Sequence, residues 1–154
     1  MKLTSFWKIL TLTMHFDWEV KCFNFNAAYL NGELKDSEEI YMEQLLGYEK
    51  GGKDFVKRLC KALYRLKQVG HRWYNTFSYE LANLGFYASG TNPRVFYTQI
   101  KHKILILTTH VDNCTMTGSL GKLITIYKGK LNDKFPLTDL GPVHWLLGIK
   151  VKHN

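Results

Sequence analysis

The sequence predicts an α+β domain of the split βαβ kind, a mainly antiparallel sheet with helices on one face. Three observations carry that expectation. In residues 103–118 two runs rich in β-branched and aliphatic residues, 104–111 and 114–117, flank the polar pair Asp112-Asn113, the local signature of a β-hairpin closed by a tight turn. From 63 to 84 the apolar positions Leu66, Val69, Trp73, Phe77, Leu81 and Leu84 recur every three or four residues, the pattern of a long amphipathic helix. After Glu19 the patterns follow in the order strand, helix, strand pair, helix, strand.

Taken in order, Thr4 or Ser5 caps a first helix in which Phe6, Ile9, Leu10, Thr13 and Met14 recur at helical spacing, ending near His15 and Asp17. Residues 19–25 alternate as a strand, with Val20, Cys22 and Asn24 on one side and Lys21, Phe23 and Phe25 on the other. Residues 27–30 read as a single helical turn stopped by Asn31-Gly32. Short strands are expected at 39–43 and 55–59, with a glycine-containing loop at 47–52 between them. The long helix ends at Gly85, and residues 95–100 pair with the first arm of the hairpin through Lys101-His102-Lys103. Leu120, Leu123, Ile124, Tyr127 and Leu131 mark a further helix whose outer face carries Lys122, Lys128, Lys130 and Lys134. Two final strands, around Leu137 and over 145–151, are separated by the turn Asp139-Leu140-Gly141-Pro142.

The 154 residues suffice for one domain with a real core, and the 45% hydrophobic and 14% aromatic content is that of a chain that folds. Lysine and arginine number 21 against 13 acids, a formal net charge of +8, which favours a polyanionic partner. Three well-separated cysteines, Cys22, Cys60 and Cys114, show no Cys-x-x-Cys spacing and point to a reduced, intracellular protein, cytoplasmic or nuclear. His15, Asp17 and Glu19 arrive before any cleavage site could appear, so no secretory signal is expected. The aliphatic run 104–107 falls far short of the roughly 20 residues a membrane span needs.

The run Asn24-Phe25-Asn26-Ala27-Ala28-Tyr29-Leu30-Asn31-Gly32, followed by Ile40-Tyr41-Met42-Glu43-Gln44, resembles the palm segment of reverse transcriptases from copia-type retrotransposons. So does Lys61-Ala62-Leu63-Tyr64-Arg65-Leu66-Lys67-Gln68, with Trp73-Tyr74 beyond it. His110-Val111-Asp112-Asn113 falls where that family has an aromatic-x-Asp-Asp hairpin, and residues 137–141 with 146–149 look like its closing segment. The resemblance runs from about Phe6 to Val151 with several long motifs in the right order. It implies a reverse-transcriptase palm, a split βαβ, ferredoxin-like antiparallel sheet with helices on one face, plus part of the fingers. A single partial domain over 1–154 is expected, without the thumb, ribonuclease H and integrase that accompany this palm in the family.

The activity implied is RNA-directed DNA polymerisation on an RNA template and DNA primer or an RNA–DNA hybrid. Three aspartates of the family hold two magnesium ions, and carried over residue by residue their positions are Asn24, Asp112 and Asn113. Only Asp112 keeps its acid and so remains an expected metal ligand, while the ligand charge falls from three to one. An amide ligates weakly through its oxygen and brings no charge, and hard divalent cations among phosphates depend on carboxylates. The resemblance therefore implies a catalytically degenerate enzyme.

Tyr29 matches the aromatic residue that packs under the incoming sugar, and reads equally as a core tyrosine. Gln68 matches a contact to nucleotide and template, with Lys67 a phosphate contact; both also read as solvated helix residues. Trp145, Leu146, Leu147 and Gly148 match the primer-gripping strand, with a plain core strand as the other reading. Arg65 stands where the family has glycine, which puts the turn before the long helix in question. A zinc site on His110, Asp112 and Cys114 is disfavoured, because three ligands on one strand face cannot close a tetrahedron. The alternatives to a polymerase are a non-catalytic basic module that grips RNA or DNA through Lys67, Arg72 and the lysines of 122–134, and a non-functional pseudogene product.

Overall fold

A computed structural model describes residues 2–31, 39–52, 55–61, 69–143, 145–146 and 149–151. The chain divides into two compact units, one of residues 1–28 and 78–154, the other of 29–77. Among the described residues of the first unit, α1 (Leu3–His15), β1 (Val20–Phe25), β4 (Tyr87–Ser89), β5 (Asn92–Ile100), β6 (Lys103–His110), β7 (Asn113–Gly118), α3 (Gly121–Lys134) and β8 (Leu137–Pro142) are followed by the short β9 (Trp145–Leu146) and β10 (Ile149–Lys150). The second unit carries β2 (Tyr41–Glu43), β3 (Val56–Arg58) and the start of α2 (Val69–Asn83), which runs on into the first. A 310 turn, Ala28–Asn31, begins in the first unit and ends in the second.

The six-stranded sheet has the order β4-β5-β6-β7-β1-β8, with every neighbouring pair antiparallel. Taken alone, β1, β6, β7 and β8 place the first strand between the third and fourth, the order of a split βαβ repeat, and β5 and β4 extend the sheet past β6. Register assigns the two faces. Val20, Cys22 and Asn24 share one with Asn113, Thr115 and Thr117 and with Ile106, Thr108 and His110. Phe23 and Phe25 share the other with Cys114, Met116, Leu105, Leu107 and Thr109.

α3 covers the second face with its buried Ile124, Tyr127 and Leu131, and just past its end Phe135 meets the Phe25 ring edge-on at 5.9 Å. The last turns of α2 are tied to it by the ion pair Lys134–Glu80 at 3.6 Å. The helix pattern at the start of the chain forms α1, but α1 lies over the first face, where Phe6, Ile9, Leu10 and Thr13 meet Val20, Thr108, Thr115 and Thr117 around a small cavity. Helices therefore stand on both faces rather than one. The reason is in the strands themselves: residues 104–109 are apolar or threonine on both sides, so two buried faces need two covers.

Three local expectations change. The hairpin tip is Val111-Asp112, with His110 opposite Asn113, one residue earlier than the Asp-Asn pair suggests, because pairing Thr108 with Thr115 buries their mutual hydrogen bond. Residues 139–142 form no turn. They continue β8 against β1 through a bulge, where the register passes from Cys22 opposite Gly141 to Phe23 opposite Asp139, and Gly141 takes the left-handed φ of 72° that the bulge requires. Asp139 bonds Lys128 of α3 and accepts from the Gly141 N–H, which together hold its carboxyl below the usual range. The strand expected over 145–151 is two strands, β9 and β10, paired with each other. β4 is an addition, three residues against β5.

In the second unit β2 and β3 form an exposed two-stranded ribbon, Tyr41 opposite Arg58. Gln44 organises the loop after it, donating to the carbonyls of Lys50 at 3.1 Å and Gly52 at 2.9 Å and accepting from the Lys50 N–H at 2.7 Å. Val69, Trp73 and Phe77 of α2 are buried, the last two rings stacked at 5.3 Å. The part of the long helix expected over 63–68 lies outside the described residues. Among the described residues no helix is long and apolar enough to cross a membrane.

Candidate functional site

Asn24 is the penultimate residue of β1 and faces Asn113, the first residue of β7, across the ladder. Alternation places both side chains on the face that α1 covers further along, while Asp112 occupies the hairpin tip beside them. The backbone fixes the arrangement: the Phe25 N–H donates to the Asp112 carbonyl at 2.9 Å, so the tip is stapled to the end of β1. Residues 89 positions apart thereby meet.

Their side chains form a relay. Asn24 Nδ2 donates to Asn113 Oδ1 at 3.1 Å, and Asn113 Nδ2 donates to Asp112 Oδ1 at 3.1 Å. The chemistry of the groups fixes the direction, since an ionised carboxylate only accepts; Asn113 must turn its NH2 to Asp112, leaving its oxygen for the NH2 of Asn24. Asn24 and Asp112 are half-buried and Asn113 is exposed.

Val111, the first residue of the tip, has φ 64°, and Asp112 is not among the residues with positive φ, the sign pattern of a type II′ turn. Glycine is the usual residue there, and a β-branched side chain makes the position an outlier. Sequence reasoning missed this strain. The spacing of two polar turn-formers drew the turn one residue too far along, and only the pairing of His110 with Asn113 exposes Val111 as the residue that bends.

Two residues beyond the tip the surroundings turn apolar. Cys114 is buried, and burial pushes its thiol up to about 12, against a smaller lowering from the Thr109 hydroxyl. Burial likewise raises Cys22 to about 11. Cys22 and Cys114 stand on opposite faces of adjacent strands, and Cys60 is exposed in the other unit.

The remaining expected site residues lie in the second unit, outside the described residues, or elsewhere in the first unit. Tyr29 is half-buried in the 310 turn and belongs to the second unit. Lys67, Gln68 and Arg65 lie outside the described residues, as do Leu147 and Gly148. Trp145 is in β9, 64% exposed, with the Lys150 ammonium 5.9 Å from its ring centre; Leu146 is its strand neighbour. His110 is exposed at the end of β6, opposite Asn113.

The donor set does not suit a pair of magnesium ions. One carboxylate supplies the only charge, one of its oxygens already accepts from Asn113, and the Asn113 oxygen is occupied by Asn24. Among the described residues no group of three or more His, Cys, Asp or Glu is placed to share a metal.

A sheet of this order, with Asn24, Asp112 and Asn113 meeting at the tip of its central hairpin, is what comparison with known proteins then places in a class. The family model for reverse transcriptase (RNA-dependent DNA polymerase) matches residues 1–154, and the chain belongs to that family. Within it the relatives are copia-type Pol polyproteins. The chain is 36% identical over 153 residues to the retrovirus-related Pol polyprotein from transposon TNT 1-94 of Nicotiana tabacum, a match over 98% of this chain and 11% of the polyprotein. It is 31% identical over 153 residues to those from transposons RE2 and RE1 of Arabidopsis thaliana, each over 99% of this chain and 10% of the polyprotein. The chain thus spans about a tenth of the length of the curated relatives it matches. No solved structure matches it significantly.

Proposed function

We propose that the chain is the palm and part of the fingers of a copia-type reverse transcriptase in which the metal site has lost its chemistry. The observation that carries this reading is the meeting of Asn24, Asp112 and Asn113 at one end of the sheet in an amide relay. In this reading the three stand at the positions of the family's metal-binding aspartates. Tyr29, Lys67 and Gln68 face the incoming nucleotide, and the segment Trp145, Leu146, Leu147 and Gly148 grips the primer end. A hairpin, as β9 and β10 form, suits a grip better than a lone strand because its own ladder holds its shape. RNA template and DNA primer are the partners, inside the cell.

The amides do more than remove charge. Three carboxylates this close repel one another until cations neutralise them, whereas Asn24 and Asn113 satisfy each other and Asp112 without any ion. The site is thereby stable empty. The net charge of +8 favours retained nucleic-acid binding in the absence of polymerisation.

The test is metal binding by calorimetry with the parent chain, each single reversion and Asn24→Asp/Asn113→Asp together. The double revertant is expected to bind magnesium or manganese measurably, the parent not, and either single reversion much less than the pair, because the carboxylates act as a unit. The parent is expected to give no measurable nucleotide incorporation on a primed RNA template. Incorporation by the parent overturns the reading, as does a folded double revertant that binds metal no better than the parent.

A further inference from the structure

We propose that the outer face of β4 and β5 is a binding surface for single-stranded nucleic acid, which stacks its unpaired bases on Tyr87 and Tyr97. The two tyrosines are direct cross-strand partners, with ring centres 6.0 Å apart and planes inclined by 38°. They are 65% and 43% exposed, so neither ring is spent on the core. A paired backbone presents them together, and a tyrosine has few torsions to lose on binding. Stacking on such rings is tolerant of sequence because every base offers a π-face.

Charge selects the occupant. Between residues 81 and 111 the sequence contains Arg94, Lys101 and Lys103, with His102 and His110, and no aspartate or glutamate. Lys101 and His102 are exposed in the turn that joins β5 to β6 and Lys103, also exposed, opens β6, four to six residues along from Tyr97. Gln99, exposed on the same side of β5 as Tyr97, donates to the Lys101 carbonyl at 3.2 Å and keeps its own carbonyl oxygen for a base edge. An aromatic pair beside cations, on a sheet edge free of acids, fits a single-stranded polyanion with exposed bases and repels no part of it.

Register places this surface on the same side of the sheet as Asn24 and Asn113, since Tyr97 lies opposite Ile106, which shares its face with His110 and Asn113. Four residues along the strand and two strands across separate Tyr97 from Asn113, roughly 15–20 Å. The proposal needs no metal and no reaction, so it stands or falls apart from the degenerate-site reading.

The experiment is fluorescence anisotropy of the full chain with a labelled oligouridylate and a duplex of equal length, at two salt concentrations. Tyr87→Thr/Tyr97→Thr, which puts β-branched strand formers in place of the rings, is expected to weaken single-strand binding about tenfold or more while changing duplex binding less than twofold. Tyr87→Phe/Tyr97→Phe keeps the rings and is expected to bind as the parent does. Lys101→Gln/Lys103→Gln is expected to flatten the salt dependence for the single strand by about one unit of slope. Circular dichroism and melting establish that each variant is folded. Equal single-strand binding by the threonine pair overturns the proposal, as does an equal loss for duplex. Absence of parent binding at low salt overturns it too, and self-association that the threonine pair abolishes then assigns the face to a second copy of the chain.

Discussion

The β6–β7 hairpin has two ends that obey different rules. Towards the closed core, Leu105, Leu107, Thr108, Thr115 and Met116 are buried, and a Cβ on Gly118 would lie 2.3 Å from the Ile104 carbonyl oxygen, so the strands meet with no room for a side chain. At the tip, Asn113 and His110 are exposed, Val111 bends through a left-handed conformation, and a relay of side chains replaces packing. The contrast separates a region held by packing from one held by side-chain hydrogen bonds. Packing at the core end constrains every atom, whereas at the tip an aspartate and an asparagine are nearly the same shape and differ in charge, so the scaffold accommodates either.

Truncation in the body of the hairpin is expected to give the largest effect. Leu107 is fully buried on the face covered by α3, and Leu107→Ala removes its methyl groups and leaves a cavity, a loss of about 2–5 kcal/mol in urea unfolding. Asn24→Ala, at the other end, forfeits one partly solvated hydrogen bond and is expected to cost about 1 kcal/mol. If the two losses are equal, the two ends are not differently built.

The boundary between the regimes is sharpened by pH. Cys114 is only two residues past the tip, yet its thiol is held up to about 12, and that of Cys22 up to about 11, from an ordinary value of 9.0. A raised folded value means that stability is fully present below about 9.0 and is lost as pH climbs towards 11 and 12, because only the unfolded chain releases these protons in that window. The midpoint of thermal unfolding is therefore expected to fall from pH 9 upwards, and less steeply in Cys22→Ala/Cys114→Ala. At neutral pH a thiol reagent is expected to label Cys60, which is exposed, and to spare the other two until the chain unfolds.

How much of this was legible in the sequence follows the same division. Periodicity located α1, β1, the arms of the hairpin and α3, because each carries a buried stripe that repeats at the period of its own backbone. It missed β4, whose three residues include the exposed Tyr87 and Ala88 and owe their extended form to β5. It also made a turn of Asp139-Leu140-Gly141-Pro142, where local turn chemistry is overridden by pairing with β1 and the glycine serves a bulge. Nothing local could bring Asn24 to Asn113, 89 residues away; the resemblance to a family did, and the register agrees. The strain at Val111 was invisible for the same reason, since a valine after a histidine in an apolar run looks like more strand.

That strain gives the last and smallest expected effect. A β-branched residue held at φ 64° sits in a sparsely populated region, at a cost of about 1–3 kcal/mol. Glycine adopts the conformation freely but has more freedom to lose from the unfolded chain, roughly 0.5–1 kcal/mol, and it gives up the half-buried isopropyl group. Val111→Gly is therefore expected to gain only about 0.5–1 kcal/mol in urea unfolding. Asparagine visits the left-handed region more readily than other side chains and carries less of that unfolded-state penalty, so Val111→Asn is the cleaner measure of the backbone term. Both should stabilise the chain while leaving the Asn24–Asn113–Asp112 relay intact, because the relay uses the side chains of its neighbours and the backbone of Asp112 remains tied to Phe25. Loss of stability in both variants would mean that the turn relaxes out of its left-handed form in solution, and that the tip is no more strained than the core it closes.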